Sequence, residues 1–213
     1  MSDLKTVRKD YDSRQLLEST INKDPFALVE SWLKDAKEHA GLDYNAMTFA
    51  TTDEAGFPNL RTVLLRGFSR DGISFYTNYT SSKAKEIEKN NKVGVNFFWK
   101  ELERQICMKG IVKKAPEADS EAYFASRPRA SQLGAWVSDQ SSIIENREVL
   151  DQLKKEVEER FEGKDVTRPP FWGGYTIQIT YFEFWQGRPG RLHDRIAFMM
   201  NADGEWFLER LAP

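Results

Sequence analysis

The chain has 213 residues, 40% hydrophobic and 13% aromatic, enough to bury a core and to exclude disorder as its overall state. Its 31 Lys and Arg face 33 Asp and Glu, a formal charge of -2, so it lacks the basic excess of a general polyanion binder. Cys107 is the one cysteine, and His39 and His193 are the two histidines, which excludes disulfide scaffolds and thiolate clusters and argues against zinc.

The N-terminus MSDLKTVRKDYDSR carries no apolar signal segment. No run approaches the roughly 18 residues of a membrane span, so a cytoplasmic chain is expected. Residues 1–20 read as a polar arm. Asp24-Pro25 supplies an N-cap and a proline at the first helical position, and Phe26, Val29, Trp32, Leu33 and Ala36 recur at helical spacing until Gly41. From Ala46 the period turns strand-like: AMTFATT, NLRTVLLRGF after the turn DEAGFP, and ISFYTN after SRDG, which together predict an antiparallel meander. SSKAKEIEKNN reads as a short helix capped by Ser81 or Ser82, followed by strands KVGVNFFWK and RQICMKGIVKK. Pro116 to Ser126 is a helical segment that Pro128 terminates. Ile144 to Glu162, with Leu150, Leu153, Val157 and Phe161, is an amphipathic helix with a charged outer face. After TRPPFWGG come strands at YTIQIT, FEFWQ, DRIAFMM and EWFLERL, the last two joined by NADGE. With no repeat or linker, 21–213 reads as a single α+β domain on a closed or nearly closed antiparallel barrel. Neither GxGxxG nor a Walker loop is present.

Several groups stand out chemically. Arg61 lies in an apolar strand and needs a partner, while Ser81, Ser82 and Lys83 at a helix start suit a phosphate. A surface carboxylate beside Arg61 and an ordinary helix cap explain the same letters. Tyr123, Arg127 and Ser131 are four apart; Tyr123 and Arg127 would share a helix face, and the turn at Pro128 would bring Ser131 beside them to grip one anion. A plain surface helix is the alternative. In EFWQGRPGRLHDRIAF an extended chain puts Arg191, His193 and Arg195 on one side near Trp185 and Arg188, cations that repel unless an anion sits among them. Pairing of His193 with Asp194 or another carboxylate stays open. Gln105 faces either ligand or solvent, Cys107 reads as packing, and Gln140-Ser141-Ser142 reads as a capping loop. Phe97, Phe98 and Trp99, if exposed, would stack bases in an oligonucleotide-binding barrel, which the charge balance disfavours.

The pieces RTVLLRGF, FYTN, LERQ, YFASRPRASQLGAWVSDQSS, FWGG, EFWQGRPGRLHDR and ERLAP, in this order between Asp43 and Pro213, closely resemble the pyridoxamine 5'-phosphate oxidase family. That resemblance implies an FMN-binding split β-barrel with flanking helices, a homodimer holding FMN at its interface, and no metal, nucleic acid or membrane. It implies that FMN is held by Arg61, Thr62, Val63, Leu64, Leu65, Arg66, Tyr76, Thr77, Ser82, Lys83, Gln105, Gln140, Ser141, Trp185 and Arg195. The substrates, pyridoxamine and pyridoxine 5'-phosphate, would meet Arg66, Tyr123, Arg127, Ser131, Arg191, Leu192 and His193. Arg8, Lys9, Asp10 and Tyr11 would close over them from a mobile arm, and Arg191 and His193 are the implied catalytic pair. The implied reaction moves a hydride from C4' to flavin N5, and O2 reoxidises the flavin to give H2O2 and pyridoxal 5'-phosphate. A non-catalytic flavin-binding barrel is the competing implication. Two positions depart from the family's usual pattern: Arg66 stands where Lys is usual, and Ser82 where Arg is usual. Losing one charge-assisted hydrogen bond at Ser82 predicts FMN binding weaker by about 1.5–3 kcal/mol.

Overall fold

The computed structural model describes residues 10–11 and 14–213; Arg8 and Lys9 lie outside them. Helix α1 (Pro25–His39) starts where expected, with the Asp24 carboxylate accepting from Phe26 N–H at 3.0 Å and Pro25 at the first helical position. Gly41, at φ +81°, turns the chain away after it. The strands are β1 (Ala46–Thr52), β2 (Pro58–Leu64), β3 (Gly67–Ser69), β4 (Gly72–Asn78), β5 (Lys92–Trp99) and β6 (Arg104–Lys114), with α2 (Ser82–Lys89) before β5. Helices α3 (Glu117–Ser126), α4 (Arg129–Val137) and α5 (Glu148–Arg160) precede β7 (Trp172–Gln186), β8 (Asp194–Met200) and β9 (Trp206–Leu211).

These strands form one antiparallel sheet in the order β2-β1-β5-β6-β7-β4-β3, with β8 on β7 and β9 on β8. One edge of β7 runs along β6; its other edge carries β4 on the first half and β8 on the second. The sheet curls until its ends meet. Leu65 N–H donates to Asn45 O at 2.9 Å and Arg66 N–H to Ser74 O at 2.8 Å, so these two residues tie the β2–β1 end to the β4–β3 end. The result is an α+β split barrel. Its interior holds Phe49, Phe75, Phe97, Ile106, Phe182, Phe184 and Phe198, all at most 1% exposed, each stabilising the fold by roughly 1.5–3 kcal/mol. Helix α1 covers the barrel with Phe26 edge-on to Phe182 and Trp32 edge-on to Phe184, both at 5.2 Å. Leu16 is also buried, and its N–H donates to Asp194 at 3.0 Å. Among the described residues no helix is long and apolar enough to cross a membrane.

The structure corrects several expectations. NLRTVLLRGF is broken at Leu65-Arg66 into β2 and β3, so the meander is replaced by two hairpins at opposite ends of the sheet. YTIQIT and FEFWQ are one strand, bulged opposite Lys109/Gly110. There a Cβ on Gly110 would come within 2.5 Å of Gln178 O. Pro128 ends α3 but also starts α4, a helix beyond those expected, and α5 begins only at Glu148. Phe97 and Trp99 are buried while Phe98 is exposed, so no three-ring platform for bases exists.

Candidate functional site

A cavity of about 720 Å³ opens where β2, β4, α2 and the α3–α4 corner meet. Its wall brings together Arg61, Thr62, Val63, Leu64 and Arg66 from β2 and the seam, Tyr76 and Thr77 from β4, and Ser82 and Lys83 from α2. Tyr123, Arg127, Ser131, Gln140 and Ser141 also line it. Leu65 packs against the barrel core instead. Four cations and no carboxylate are among the described residues lining the space.

Lys83 is 8% exposed. Its ammonium donates to Gln140 Oε1 at 2.8 Å, Thr77 Oγ1 at 3.2 Å and Ser81 Oγ at 3.3 Å, all neutral oxygens. Burial, with the Arg61 charge nearby, lowers its pKa to about 8. Gln140 and Ser141, read as a capping loop, therefore belong to the cavity; Ser141 adopts φ +78° there. Helix α2 starts at the same wall. Ser81 Oγ donates to Asn78 O rather than capping the helix. The helical ladder begins with Ala84 and Lys85 N–H bonding Ser81 O, so the Ser82 and Lys83 N–H groups stand outside it at the positive end of the helix.

Arg61 does have a carboxylate partner. Its Nη2 meets Glu86 of α2 at 3.1 Å and its Nη1 donates to Asn59 O at 2.9 Å and to Thr51 Oγ1. Glu86 also accepts from Asn59 Nδ2 at 2.8 Å and from Thr51. The pair fixes the guanidinium without removing it from the cavity wall, so the carboxylate partner and the place in the cavity coexist. Glu86 was not singled out in the sequence; its one signal is its place a turn after Ser82 on the same helix.

The opposite wall is aromatic. Tyr76 stacks on Tyr123 at 4.0 Å and on Trp172 at 5.6 Å, and the Arg66 guanidinium lies 5.8 Å from the Tyr123 centroid. Tyr123 and Arg127 do not share a helix face. Arg127 is the C-cap of α3 with extended backbone, and Ser131 belongs to the first turn of α4. The Pro128 corner, rather than a four-residue period, brings the three together.

The remaining expected residues gather elsewhere. Gln105, Trp185 and Arg195 form one row across β6, β7 and β8. Arg195 is paired with Glu183 at 2.8 Å and donates to Ala212 O at 2.8 Å. Arg191, His193 and Arg195 do not line one strand face: Arg191 ends a 3-10 turn at φ +62° and β8 begins only at Asp194. Asp194 pairs with Arg210 at 2.9 Å and Arg188 at 3.5 Å, not with His193. The His193 ring lies 4.7 Å from Trp185 and 5.8 Å from Tyr11, and its Nδ1 accepts Arg188 N–H at 3.1 Å. Leu192 is exposed beside it. Gln105 Nε2 points to Cys107 Sγ at 3.2 Å; burial pushes the Cys107 thiol pKa up, in keeping with a packing role.

None of these residues lines the cavity. Trp172, in its wall, and Trp185, in the second cluster, are thirteen positions apart on β7, roughly 40 Å of extended strand. One chain thus carries two separate clusters of the expected residues.

Residues 35–161 match the family model described as pyridoxamine 5'-phosphate oxidase, and residues 172–213 match that of the pyridoxine 5'-phosphate oxidase C-terminal dimerisation region. A pyridoxine/pyridoxamine 5'-phosphate oxidase of Flavobacterium johnsoniae is 47% identical over 213 residues, covering all of both chains. One of Rippkaea orientalis is 46% identical over 211 residues, 99% of this chain and all of the relative. Among solved structures, PhzG from Burkholderia lata in complex with tetrahydrophenazine-1-carboxylic acid aligns at TM-score 0.86 and 24% identity, over 94% of this chain and all of that one. A pyridoxamine 5'-phosphate oxidase-related, FMN binding protein from Nostoc punctiforme aligns at TM-score 0.71 and 16% identity, over 91% and 100%. Both structures share this fold.

Proposed function

The chain belongs to the pyridoxamine 5'-phosphate oxidase family, and from that premise we propose that it oxidises pyridoxine and pyridoxamine 5'-phosphate to pyridoxal 5'-phosphate as an FMN-holding homodimer. The observation that carries this reading is the convergence of Arg61, Arg66, Lys83 and Arg127 on one cavity with no carboxylate among the described lining residues, a donor set matched to phosphorylated ligands. FMN fits that set. When bound it supplies a hydride acceptor that no side chain offers, with O2 as terminal oxidant.

Arg61, Lys83 and the free N–H groups at the start of α2 would hold the FMN phosphate, with Thr77 and Gln140 orienting the Lys83 ammonium. Tyr123, Arg127 and Ser131 would take the substrate phosphate, with Arg66 beside Tyr123. Gln105, Trp185, Arg191, His193 and Arg195 complete each site from the partner copy, a reading supported by their separation from the cavity and by the dimerisation-region match. Because His193 Nδ1 accepts Arg188 N–H, the neutral ring carries its proton on Nε2 and presents a donor there. Asp10 and Tyr11, with Arg8 and Lys9 preceding them, act as an arm over the substrate; Tyr11 packs on Trp185 at 5.7 Å.

The test is spectroscopic. The purified protein should be yellow, and its flavin absorbance should bleach when pyridoxamine 5'-phosphate is added without oxygen. Bound flavin that stays coloured would instead establish a non-catalytic flavin binder.

A further inference from the structure

Resting on the function proposed above, we propose that Trp172 is a positioning residue that holds Arg127 on its ring face, ready for the substrate's phosphate. The Arg127 guanidinium carbon lies 4.6 Å from the Trp172 centroid and 5.6 Å from that of Phe124. Its Nη1 is buried and has no hydrogen-bond partner, and no carboxylate is among the described cavity-lining residues. Ring faces therefore do what a counter-ion does for Arg61. The difference matters for an anion site. A carboxylate beside Arg127 would offset part of its charge, as Glu86 does for Arg61, whereas a ring restrains the guanidinium and leaves the full charge for the ligand.

The indole is itself held on several sides. Trp172 is 7% exposed and packs edge-on against Phe124 at 5.2 Å. It stacks on Tyr76 at 5.6 Å and Tyr123 at 6.1 Å, and its backbone pairs with Asn78 of β4. Its carbonyl also accepts from Arg168 Nη1 at 2.6 Å. The ring that carries Arg127 is thus part of the same stack that walls the cavity.

In the FMN-loaded dimer, Trp172→Leu should raise KM for pyridoxine 5'-phosphate about tenfold while kcat changes by less than about threefold. Trp172→Tyr and Trp172→Phe, which keep a ring of decreasing electron density, should give graded intermediate values, and they decide the matter if the Leu variant does not fold. Equilibrium dialysis of pyridoxal 5'-phosphate against the same proteins should weaken in the same order, while affinity for unphosphorylated pyridoxal stays level. A KM and a dissociation constant that do not move along the series overturn the proposal, as does an equal loss for both pyridoxals, which would mark a purely structural role. Absence of oxidase activity in the wild type would instead overturn the function; dialysis would still report on Arg127.

Discussion

Lys83 is a cation whose charge the fold opposes and a bound phosphate would welcome. Its pKa is lowered to about 8 by burial and by Arg61, from an ordinary 10.5. Between those values the unfolded chain binds more protons than the folded one, so stability of the ligand-free protein should rise with pH in that window. Flavin affinity should do the opposite. A dianion stabilises the ammonium, so binding above about pH 8 must also take up a proton and weakens as pH climbs. Urea titrations and flavin fluorescence titrations from pH 7 to 9.5 should show both trends, and Lys83→Met should flatten both; a wild type without either trend refutes the assignment. Ser82 beside it lines the cavity with a short hydroxyl, so Ser82→Arg should tighten FMN binding by about tenfold or more, read by the same fluorescence titration. At this scale the sequence disclosed cations whose chemistry is improbable in place, such as Arg61 in an apolar strand. It hid Glu86 and Trp172, because a helix glutamate and a strand tryptophan are ordinary until the fold shows what they touch.

Strand β7 is the element that links the two clusters, since one end carries Trp172 and the other Trp185. Its two opening glycines have separate jobs. A Cβ on Gly174 would lie 2.8 Å from Tyr76 Cε1 and 2.9 Å from Ala115 Cβ, and one on Gly173 would lie 2.2 Å from the Tyr79 hydroxyl oxygen. Tyr76 walls the cavity and Tyr79 does not. Gly174→Ala should therefore weaken flavin binding beyond its stability cost of about 1–3 kcal/mol, whereas Gly173→Ala should cost similar stability with flavin affinity retained; melts of the ligand-free proteins and flavin titrations separate the two. Elements with clean alternation, such as β1 and β6, are legible within a residue or two. β7 is not, because the bulge opposite Gly110 shifts its inside-outside pattern at Thr180 and Tyr181 and makes one strand read as two. Helix α4 escapes the local pattern for a related reason: Pro128 marks a stop in the sequence, although a proline that ends one helix can also start the next.

At the scale of the whole molecule, the barrel followed from short strands and turns, but the order of strands did not. Leu65 and Arg66 each extend their own hairpin, by hydrogen bonds to Asn45 and Ser74, and no local pattern announces that the two hairpins sit at opposite ends of the sheet. The same limit keeps the proposed division of the site out of the sequence, since spacing along the chain does not tell which copy of it a residue serves. On the proposed function, a two-fold dimer sets the cavity of one copy against the Trp185 cluster of the other, twice. This gives a strict expectation for mixed dimers. Arg127→Ala removes a cation from the cavity, and Arg191→Ala removes an exposed one from the second cluster; each homodimer should be nearly inactive. When equal amounts are unfolded and refolded together, half of the dimers are mixed. A mixed dimer has one site bearing both substitutions and one bearing neither, so activity should recover to about one quarter of wild type. If both half-sites served the ligand within one chain, every site in the mixture would keep one lesion, and activity would stay at the level of the separate variants.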